Sequence, residues 1–247
     1  MQIITYECLE STNITAREMA LTGAEHGTVI TANRQTAGRG QYGRVFYSPA
    51  DHGLYMSVIL HSDQMNFKFP TLITVLAAVS VCEAIEAVTD KIPEIKWVND
   101  IFRNGKKIGG ILTESVNLPD VSCSQRFIVG IGININTPET GFPDELKNIA
   151  GSLFDSETSP VTRQQLALEI RNRLIDTGGS DDGDNEQNIL DKYRQRMFLI
   201  GKTVTVTTSG ETYKAVAEDI NDLGQLVVRK SSGEQISLFS GNVVIVR

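Results

Sequence analysis

A cationic, glycine-rich segment follows the second apolar run of the 247-residue chain. It reads NRQTAGRGQYGRVF from Asn33 to Phe46 and holds three glycines and three arginines. No acidic residue lies between Glu25 and Asp51. Glycine lets a backbone approach a ligand closely, and the planar guanidinium of arginine suits a phosphate or a carboxylate. The segment is therefore typical of a loop that closes over an anion, with an ordinary solvated loop as the alternative.

A second segment, residues 126–136, has a strand-like alternation with an unusual face. Its odd positions are all apolar, whereas its even positions include Gly130, Gly132 and Asn134. Because successive side chains point to opposite faces of a strand, one face is core and the other lacks bulk. Glycine weakens a strand interior, so these glycines indicate close approach of a ligand or another backbone. A bulge or a tight strand crossing is the alternative.

A third segment, residues 106–115, contains a lysine followed by two glycines, Lys107 and Gly109-Gly110. It follows Asn104-Gly105, the strongest two-residue signal for a hairpin. We expect Lys107 and Gly109 to share one face of this strand. A cation would then lie beside a position that has no side chain to block a ligand.

The elements that must position these segments include both strands and helices. We predict strands at 2–9, 28–32, 54–60, 95–98, 101–103, 106–115 and 126–136, and helices at 11–21, 69–88, 162–177 and 186–199. The helix at 69–88 has the apolar stripe of an amphipathic helix. Short strands with tight turns follow residue 200, at 203–207, 214–220, 225–229, 235–238 and 243–246. The fold class is α+β: a mixed β-sheet domain with helices packed on it (1–199), then a small SH3-like antiparallel β-barrel (200–247).

Composition limits the classes of partner. A net charge of −7 and a pI near 5.1 argue against a nucleic-acid surface, so the local positive charge suits a small anion. The chain has no apolar run of 18 residues and no signal-peptide pattern, which predicts a cytoplasmic protein without a membrane partner. The glycine- and aspartate-rich stretch 178–185 is expected to be a solvated loop. Three widely spaced cysteines indicate thiols in a reducing compartment: Cys8, Cys82 and Cys123.

Four motifs in this order resemble those of the biotin–protein ligases. They are GRGQYGR at 38–44, KWVND at 96–100, KIGGILTE at 107–114 and VGIGININ at 129–136, preceded by Ser11-Thr12-Asn13. The resemblance covers essentially the full length, including the final barrel. The chain looks like the short form of the family, which lacks the N-terminal DNA-binding extension.

The resemblance implies a ligase that forms an adenylate. Biotin and ATP would be the substrates, with Mg²⁺, and biotinyl-5′-AMP and pyrophosphate the first products. A lysine of a biotin carboxyl carrier protein, part of a biotin-dependent carboxylase, would then accept biotin. Such catalysis depends on positioning and charge stabilisation. The resemblance leaves the metal ligands unidentified and is compatible with a monomer or a homodimer.

The resemblance also assigns site residues. Arg39 and Lys107 would be catalytic, because they neutralise the carboxylate and the α-phosphate. The predicted substrate contacts for biotin and ATP are Ser11, Thr12, Asn13, Gln35, Gly38, Arg39, Gly40, Gln41, Phe46, Lys107, Gly109, Gly110 and Asn134, and the supporting residues are Lys96, Asn99 and Asp100. Simpler alternatives are a helix cap for Ser11 to Asn13, a sheet-end lysine for Lys96, a hairpin turn for Asp100 and a surface lysine for Lys107.

Three positions depart from the family pattern. The family usually has arginine at Gln41, tryptophan at Phe46 and proline at Val98. We expect Gln41 to weaken retention of the adenylate, Phe46 to keep an aromatic face for adenine, and Val98 to alter only backbone stiffness. The competing functions are a lipoate–protein ligase, which has the same adenylate chemistry, and a non-catalytic module that senses nucleotide or biotin.

Overall fold

The structure, a computed structural model, describes residues 2–67, 69–117, 125–155, 161–180, 185–208 and 210–246. Cys123 and the aspartates at 181–184 lie outside these ranges. The strands of the larger part are β1 (Ile3–Leu9), β2 (Val29–Gln35), β3 (Gly53–His61), β4 (Glu94–Lys96), β5 (Asp100–Arg103), β6 (Lys106–Asn117) and β7 (Gln125–Asn134). The helices are α1 (Thr12–Leu21), α2 (Leu72–Val88), α3 (Arg163–Gly178) and α4 (Asn185–Arg196).

The seven strands form one mixed sheet in the order β1-β2-β3-β7-β6-β5-β4. Only β1 and β2 pair in parallel among these neighbours of the described sheet. All nine residues of β3 are buried, because helices cover both faces at the sheet centre. The predicted α+β class with a mixed sheet is confirmed.

One face of the sheet carries α2, with α3 and α4 packed against that helix. Twelve of the seventeen residues of α2 are buried, so the helix is central and its apolar surface extends well beyond one stripe. The opposite face carries α1, whose Ala16 and Ala20 pack against Ile30, Ile59 and Ile128. Since α1 covers only part of this face, the remainder is free to form a site.

Strand β7 has the two faces predicted from its sequence. The odd-numbered residues from Phe127 to Ile135 are all buried in the main core. Gly130 and Gly132 lie on the other face, the one that carries α1. Across the sheet, Gly132 pairs with Gly110 of β6 and with Tyr55 of β3. We call Gly110, Gly130 and Gly132 the glycine patch.

The β5–β6 hairpin forms as predicted, with Asn104 and Gly105 in the left-handed region (φ 50° and 72°). A bulge then shifts the register, because Gly109 pairs with Ile101 while Lys107 pairs with the next residue, Phe102. The expectation that Lys107 and Gly109 share a face is therefore wrong. A Cβ on Gly109 would meet the carbonyl oxygen of Gly132 at 2.8 Å, whereas one on Gly110 would lie 3.4 Å from Lys107 Nζ.

The C-terminal part is a five-stranded antiparallel sheet in the order β11-β10-β9-β8-β12. Its strands are β8 (Thr203–Thr207), β9 (Thr212–Ile220), β10 (Leu226–Lys230), β11 (Gln235–Leu238) and β12 (Asn242–Ile245). Within the described residues β11 and β12 end the sheet without pairing to each other, so the expected barrel is open. The division at residues 199 and 200 stays a prediction. Across the described ranges, no helix combines the length and hydropathy needed to cross a membrane.

Hydrogen bonds from Trp97 and Thr71 are among those that join the C-terminal part to the larger sheet domain. The buried indole Nε1 of Trp97 donates to the carbonyl oxygen of Gly224 at 3.1 Å. The hydroxyl of Thr71, which precedes α2, donates to the carbonyl oxygen of Leu223 at 3.2 Å. The turn between β9 and β10 is thereby fixed against both α2 and the segment that follows β4.

Candidate active site

A cavity of about 1190 Å³ opens on the sheet face that carries α1. Its walls are the start of α1, the loop at 38–46 (the arginine loop), the glycine patch, the segment after β4 and residues 237–244, which run from β11 into β12. Most residues predicted to form the site line it: Ser11, Thr12, Asn13, Gln35, Arg39, Gly40, Gln41, Phe46, Lys96, Asn99, Asp100, Lys107 and Gly110. Residues far apart in sequence thus share one concave surface, as a ligand site requires.

Three predicted contacts do not line the cavity, and each has a structural role instead. A Cβ on Gly38 would lie 2.6 Å from Ser48 Oγ, so this glycine makes room at the base of the arginine loop. Gly109 faces the core side of β6, as the bulge requires. The Asn134 side-chain amide donates to the carbonyl oxygen of Gly151 at 2.9 Å and so fixes the wall of the cavity.

The first residues of α1 are buried against the sheet. Ser11 is the N-cap residue by position but makes no side-chain cap hydrogen bond, so capping alone does not account for its hydroxyl. The Thr12 backbone N–H donates to Gln35 Oε1 at 2.8 Å, and its hydroxyl lies 3.2 Å from the same atom. Gln35 Nε2 in turn donates to Ser48 Oγ at 2.9 Å. The start of α1 is thereby linked to the end of β2.

Asn13 occupies the space left by a missing side chain. A Cβ on Gly130 would lie 2.8 Å from the Asn13 Cγ atom, so only glycine admits this amide. Asn13 Oδ1 accepts a hydrogen bond of 2.6 Å from Ser57, which is fully buried in β3. Asn13 Nδ2 donates to Glu114 Oε2 at 2.7 Å. The close approach predicted from the glycines of β7 is therefore made, at this position, by the protein itself.

The arginine loop is a narrow hairpin. Gly40 N–H donates to the Arg44 carbonyl and Phe46 N–H to the Gly38 carbonyl, each at 2.8 Å. At the tip Tyr42 and Gly43 are both left-handed, with φ of 57° and 72°. Glycine adopts this conformation without steric cost, which accounts for Gly43. The backbone of the loop is thus ordered by its own hydrogen bonds.

Phe46 of the arginine loop covers part of the glycine patch. A Cβ on Gly132 would lie 2.6 Å from the Phe46 ring, and one on Gly110 would lie 3.7 Å from it. The ring also makes an edge contact with Tyr55, with centroids 6.4 Å apart. Access of a ligand to Gly110 and Gly132 therefore requires the Phe46 ring to move.

Each predicted catalytic cation lies beside a carboxylate. Lys107 Nζ is 2.5 Å from Asp100 Oδ1, and Arg39 Nη1 is 3.4 Å from Glu114 Oε1. Burial lowers the pKa of the Lys96 ammonium; Asp100 opposes this shift, whereas Lys107 reinforces it. Lys96 and Lys107 are therefore close enough to act on one another electrostatically, and this end of the cavity favours an anion.

Hydrogen bonds from β6 and α4 hold the segment between β4 and β5 in place. Asn99 and Ile111 exchange two hydrogen bonds: Asn99 Nδ2 donates to the Ile111 carbonyl at 2.5 Å, and Ile111 N–H donates to the Asn99 carbonyl at 2.9 Å. The hydroxyl of Tyr193, on α4, donates to the Val98 carbonyl at 2.8 Å. Asn99 thus supports the site by holding the backbone that presents Asp100.

Sequence reasoning missed three polar residues that contact residues of this site. Ser48 and Ser57 join the α1 hydrogen bonds, and Glu114 contacts both Arg39 and Asn13. The available signal for Ser57 was a single serine within the apolar run 54–60. Glu114 is the last residue of the KIGGILTE motif and had been given no role.

The fold and the cavity agree with a family match that gives the class of this protein. Residues 5–134 match the biotin/lipoate A/B protein ligase family, and residues 199–246 match the biotin protein ligase C terminal domain. The first match covers more than half of the chain, so the chain belongs to this family of ligases.

Relatives narrow the class to the biotin protein ligases. The bifunctional ligase/repressor BirA of Bacillus subtilis is 38% identical over 235 residues, which are 94% of this chain and 70% of that protein. The biotin–[acetyl-CoA-carboxylase] ligase of Mycobacterium tuberculosis is 30% identical, covering 96% of this chain and 86% of that protein. A biotin protein ligase from Aquifex aeolicus, solved with biotin and ATP, aligns with a TM-score of 0.80 at 26% identity, over 100% and 99% of the two chains.

Proposed function

We propose that this ligase activates biotin with ATP to biotinyl-5′-AMP and then transfers biotin to a lysine of a carrier domain. The observation that carries the proposal is that Arg39 and Lys107 line one cavity with the polar start of α1 and the glycine patch. The named relatives and the Aquifex aeolicus complex with biotin and ATP support the same substrates.

The start of α1 would bind the biotin head group. The hydroxyls of Ser11 and Thr12 and the amide of Asn13 supply buried donors and acceptors, and the amide of Gln35 is half-buried beside them. Such groups are costly to leave unpaired and so discriminate between ligands by hydrogen bonding. The Ser11 hydroxyl, which makes no cap hydrogen bond, would be available to biotin without breaking a bond.

The chemical step brings two anions together. A biotin carboxylate oxygen attacks the α-phosphorus, the bond to the β-phosphate oxygen breaks, and pyrophosphate leaves. At 4 Å two unit charges repel by about 1 kcal/mol in water and by about 4 kcal/mol at an effective dielectric constant of about 20. Arg39 and Lys107 would offset this repulsion. The carrier lysine amine then attacks the acyl carbon, loses a proton and displaces AMP.

The nucleotide would lie over the glycine patch, between the arginine loop and the C-terminal sheet. Phe46, which rests on these glycines, would turn its face to the adenine. Gln41 also lines the cavity and brings no charge, which favours faster loss of the adenylate. Asn134 would act on the nucleotide only through the wall it holds at Gly151.

Magnesium would enter with ATP. Within the described residues there is no group of three or more histidine, cysteine, aspartate or glutamate side chains that could hold a metal. Phosphate oxygens and water would be its principal ligands, as is usual for magnesium that accompanies a nucleotide, and no protein residue is assigned to it. A carrier protein partner, a cytoplasmic location and a monomer or homodimer remain predictions.

The test is pyrophosphate release with biotin or lipoate as the acid, each with ATP and Mg²⁺, followed by labelling of a biotin carrier domain. We expect release and labelling with biotin at far lower concentration than with lipoate. Preference for lipoate would establish the competing ligase activity. Binding of biotin without pyrophosphate release would establish a sensing module and overturn the proposal.

A further inference from the structure

A carboxylate beside the cavity, Glu114, connects the arginine loop with the start of α1. Its Oε1 lies 3.4 Å from Arg39 Nη1, and its Oε2 accepts a hydrogen bond of 2.7 Å from Asn13 Nδ2. The two oxygens of one carboxylate thus contact the residue proposed to neutralise the biotin carboxylate and a residue proposed to bind the biotin head group.

The same hydrogen bonds continue around the cavity and return to the loop. From Asn13 they pass through Ser57 to Thr12 and on to Gln35. Gln35 then donates to Ser48, whose hydroxyl donates to the Phe46 carbonyl at 2.9 Å. Arg39 at one end of the loop and Phe46 at the other are therefore both bound to one network.

The two partners in the Arg39–Glu114 pair differ in how firmly they are held. Glu114 lies within the continuous pairing of β6 and β7, opposite Ile128. Arg39 belongs to a surface loop, and its side chain is 48% exposed against 26% for Glu114. A carboxylate on a paired strand is thus the fixed partner, and the loop arginine is the one whose position depends on the contact.

We propose that Glu114 is a positioning residue that holds Arg39 over the cavity and couples its position to the biotin contact Asn13. The expected change in the biotin KM rests on the proposed function. The expected change in the order of the arginine loop does not. Exposed ion pairs contribute little to stability. Replacing Glu114 by glutamine keeps an acceptor for Asn13 and removes the charge that Arg39 faces, so the fold should persist.

The experiment compares Glu114→Gln, Arg39→Ala and the double variant in the full chain. Glu218→Gln is the matched control, since it weakens the Arg229–Glu218 pair, whose side chains are similarly exposed at 45% and 29% and which lies outside the cavity. We expect Glu114→Gln to raise the biotin KM by about fivefold, the factor one such ion pair can supply, with a smaller effect on the ATP KM. The double variant should equal Arg39→Ala alone, because Glu114 acts through Arg39.

Amide hydrogen exchange gives a readout that needs no activity. In the free protein, Glu114→Gln should speed exchange at the amides of Gly40 and Phe46, which close the loop hairpin. The control should match wild type in both measurements. Unchanged loop exchange, or effects of the two substitutions that multiply, would overturn the inference. An inactive wild-type protein with the expected exchange would instead contradict the proposed function.

Discussion

Replacing Lys107 with methionine removes one cation while keeping an unbranched side chain that is one heavy atom shorter. Its ammonium lies 2.5 Å from Asp100, and the lysine side chain is 32% exposed. At an effective dielectric constant of about 20, a cation 4 Å from an oxyanion is worth about 4 kcal/mol. The remaining Asp100 charge faces the same space and adds to the repulsion. Removing a single oxyanion-stabilising group costs about 2.7–4 kcal/mol in well-studied enzymes, so we expect a loss of about 10²–10³-fold in adenylate formation.

The effect on stability should be small. The carboxylate of Asp100 is 23% exposed, and a partly exposed ion pair contributes about 0–1 kcal/mol. For a chain of this size the melting temperature should fall by no more than about 2–4 °C. Lys96 lies near enough to Asp100 to interact with it and so limits the cost of the unpaired carboxylate. A large loss of activity with a retained fold is therefore the expected combination.

Pyrophosphate release and carrier labelling measure the loss, with Lys106→Met as the matched control. Lys106 begins the same strand, but its ammonium donates to the Asn148 carbonyl at 2.8 Å and its side chain does not line the cavity. The control should stay within about twofold of wild type, as expected for a surface substitution. Wild-type turnover in Lys107→Met, or an equal loss in both variants, would refute the assigned role.

Three further changes have defined outcomes. Arg39→Ala should raise the biotin requirement and speed leakage of biotinyl-AMP; unchanged biotin affinity and retention would count against its role. Gly130→Ala should displace Asn13 and weaken biotin binding at a cost of about 1–3 kcal/mol in unfolding free energy, and normal binding by calorimetry would show that the site tolerates the methyl group. Burial, reinforced by His61, lowers the pKa of His26 from 6.5 to about 4, and its Nδ1 accepts a hydrogen bond from the His61 N–H. The folded state therefore binds fewer protons than the unfolded state in this range, so the free energy of unfolding should fall as pH drops from about 6.5 towards 4. The fall should be less steep in His26→Asn. Identical pH profiles of the melting temperature in the two proteins would contradict this.

The sequence predicted the fold wherever a local pattern decided it. Alternation placed β7, and Asn104-Gly105 fixed the β5–β6 hairpin. The bulge before Gly109 was not predicted, because it depends on how β6 pairs with β5 rather than on the composition of β6. Burial around most of α2 was missed for the same reason, since α3 and α4 cover its second side only in the folded chain.

The candidate site, like the fold, could be predicted only where a local sequence pattern decided it. Motif residues such as Arg39 and Lys107 are recognisable by type and meet in one cavity. Glu114 and Ser57 carry no such signal, because their roles arise from neighbours supplied by other elements. The glycine patch was predicted as clear space, yet Asn13 and Phe46 fill part of it. A sequence pattern can predict that a position must lack a side chain. Which group fills the space depends on the tertiary structure, because that group comes from another part of the chain.

The most direct test of the central claim is a crystal structure of the protein with biotin and ATP. We expect a carboxylate or acyl-phosphate group in contact with Arg39 and Lys107, a head group against Ser11 and Asn13, and Phe46 displaced from Gly132. Ligand density elsewhere, with Lys107 still paired only to Asp100 and Phe46 unmoved, would contradict it.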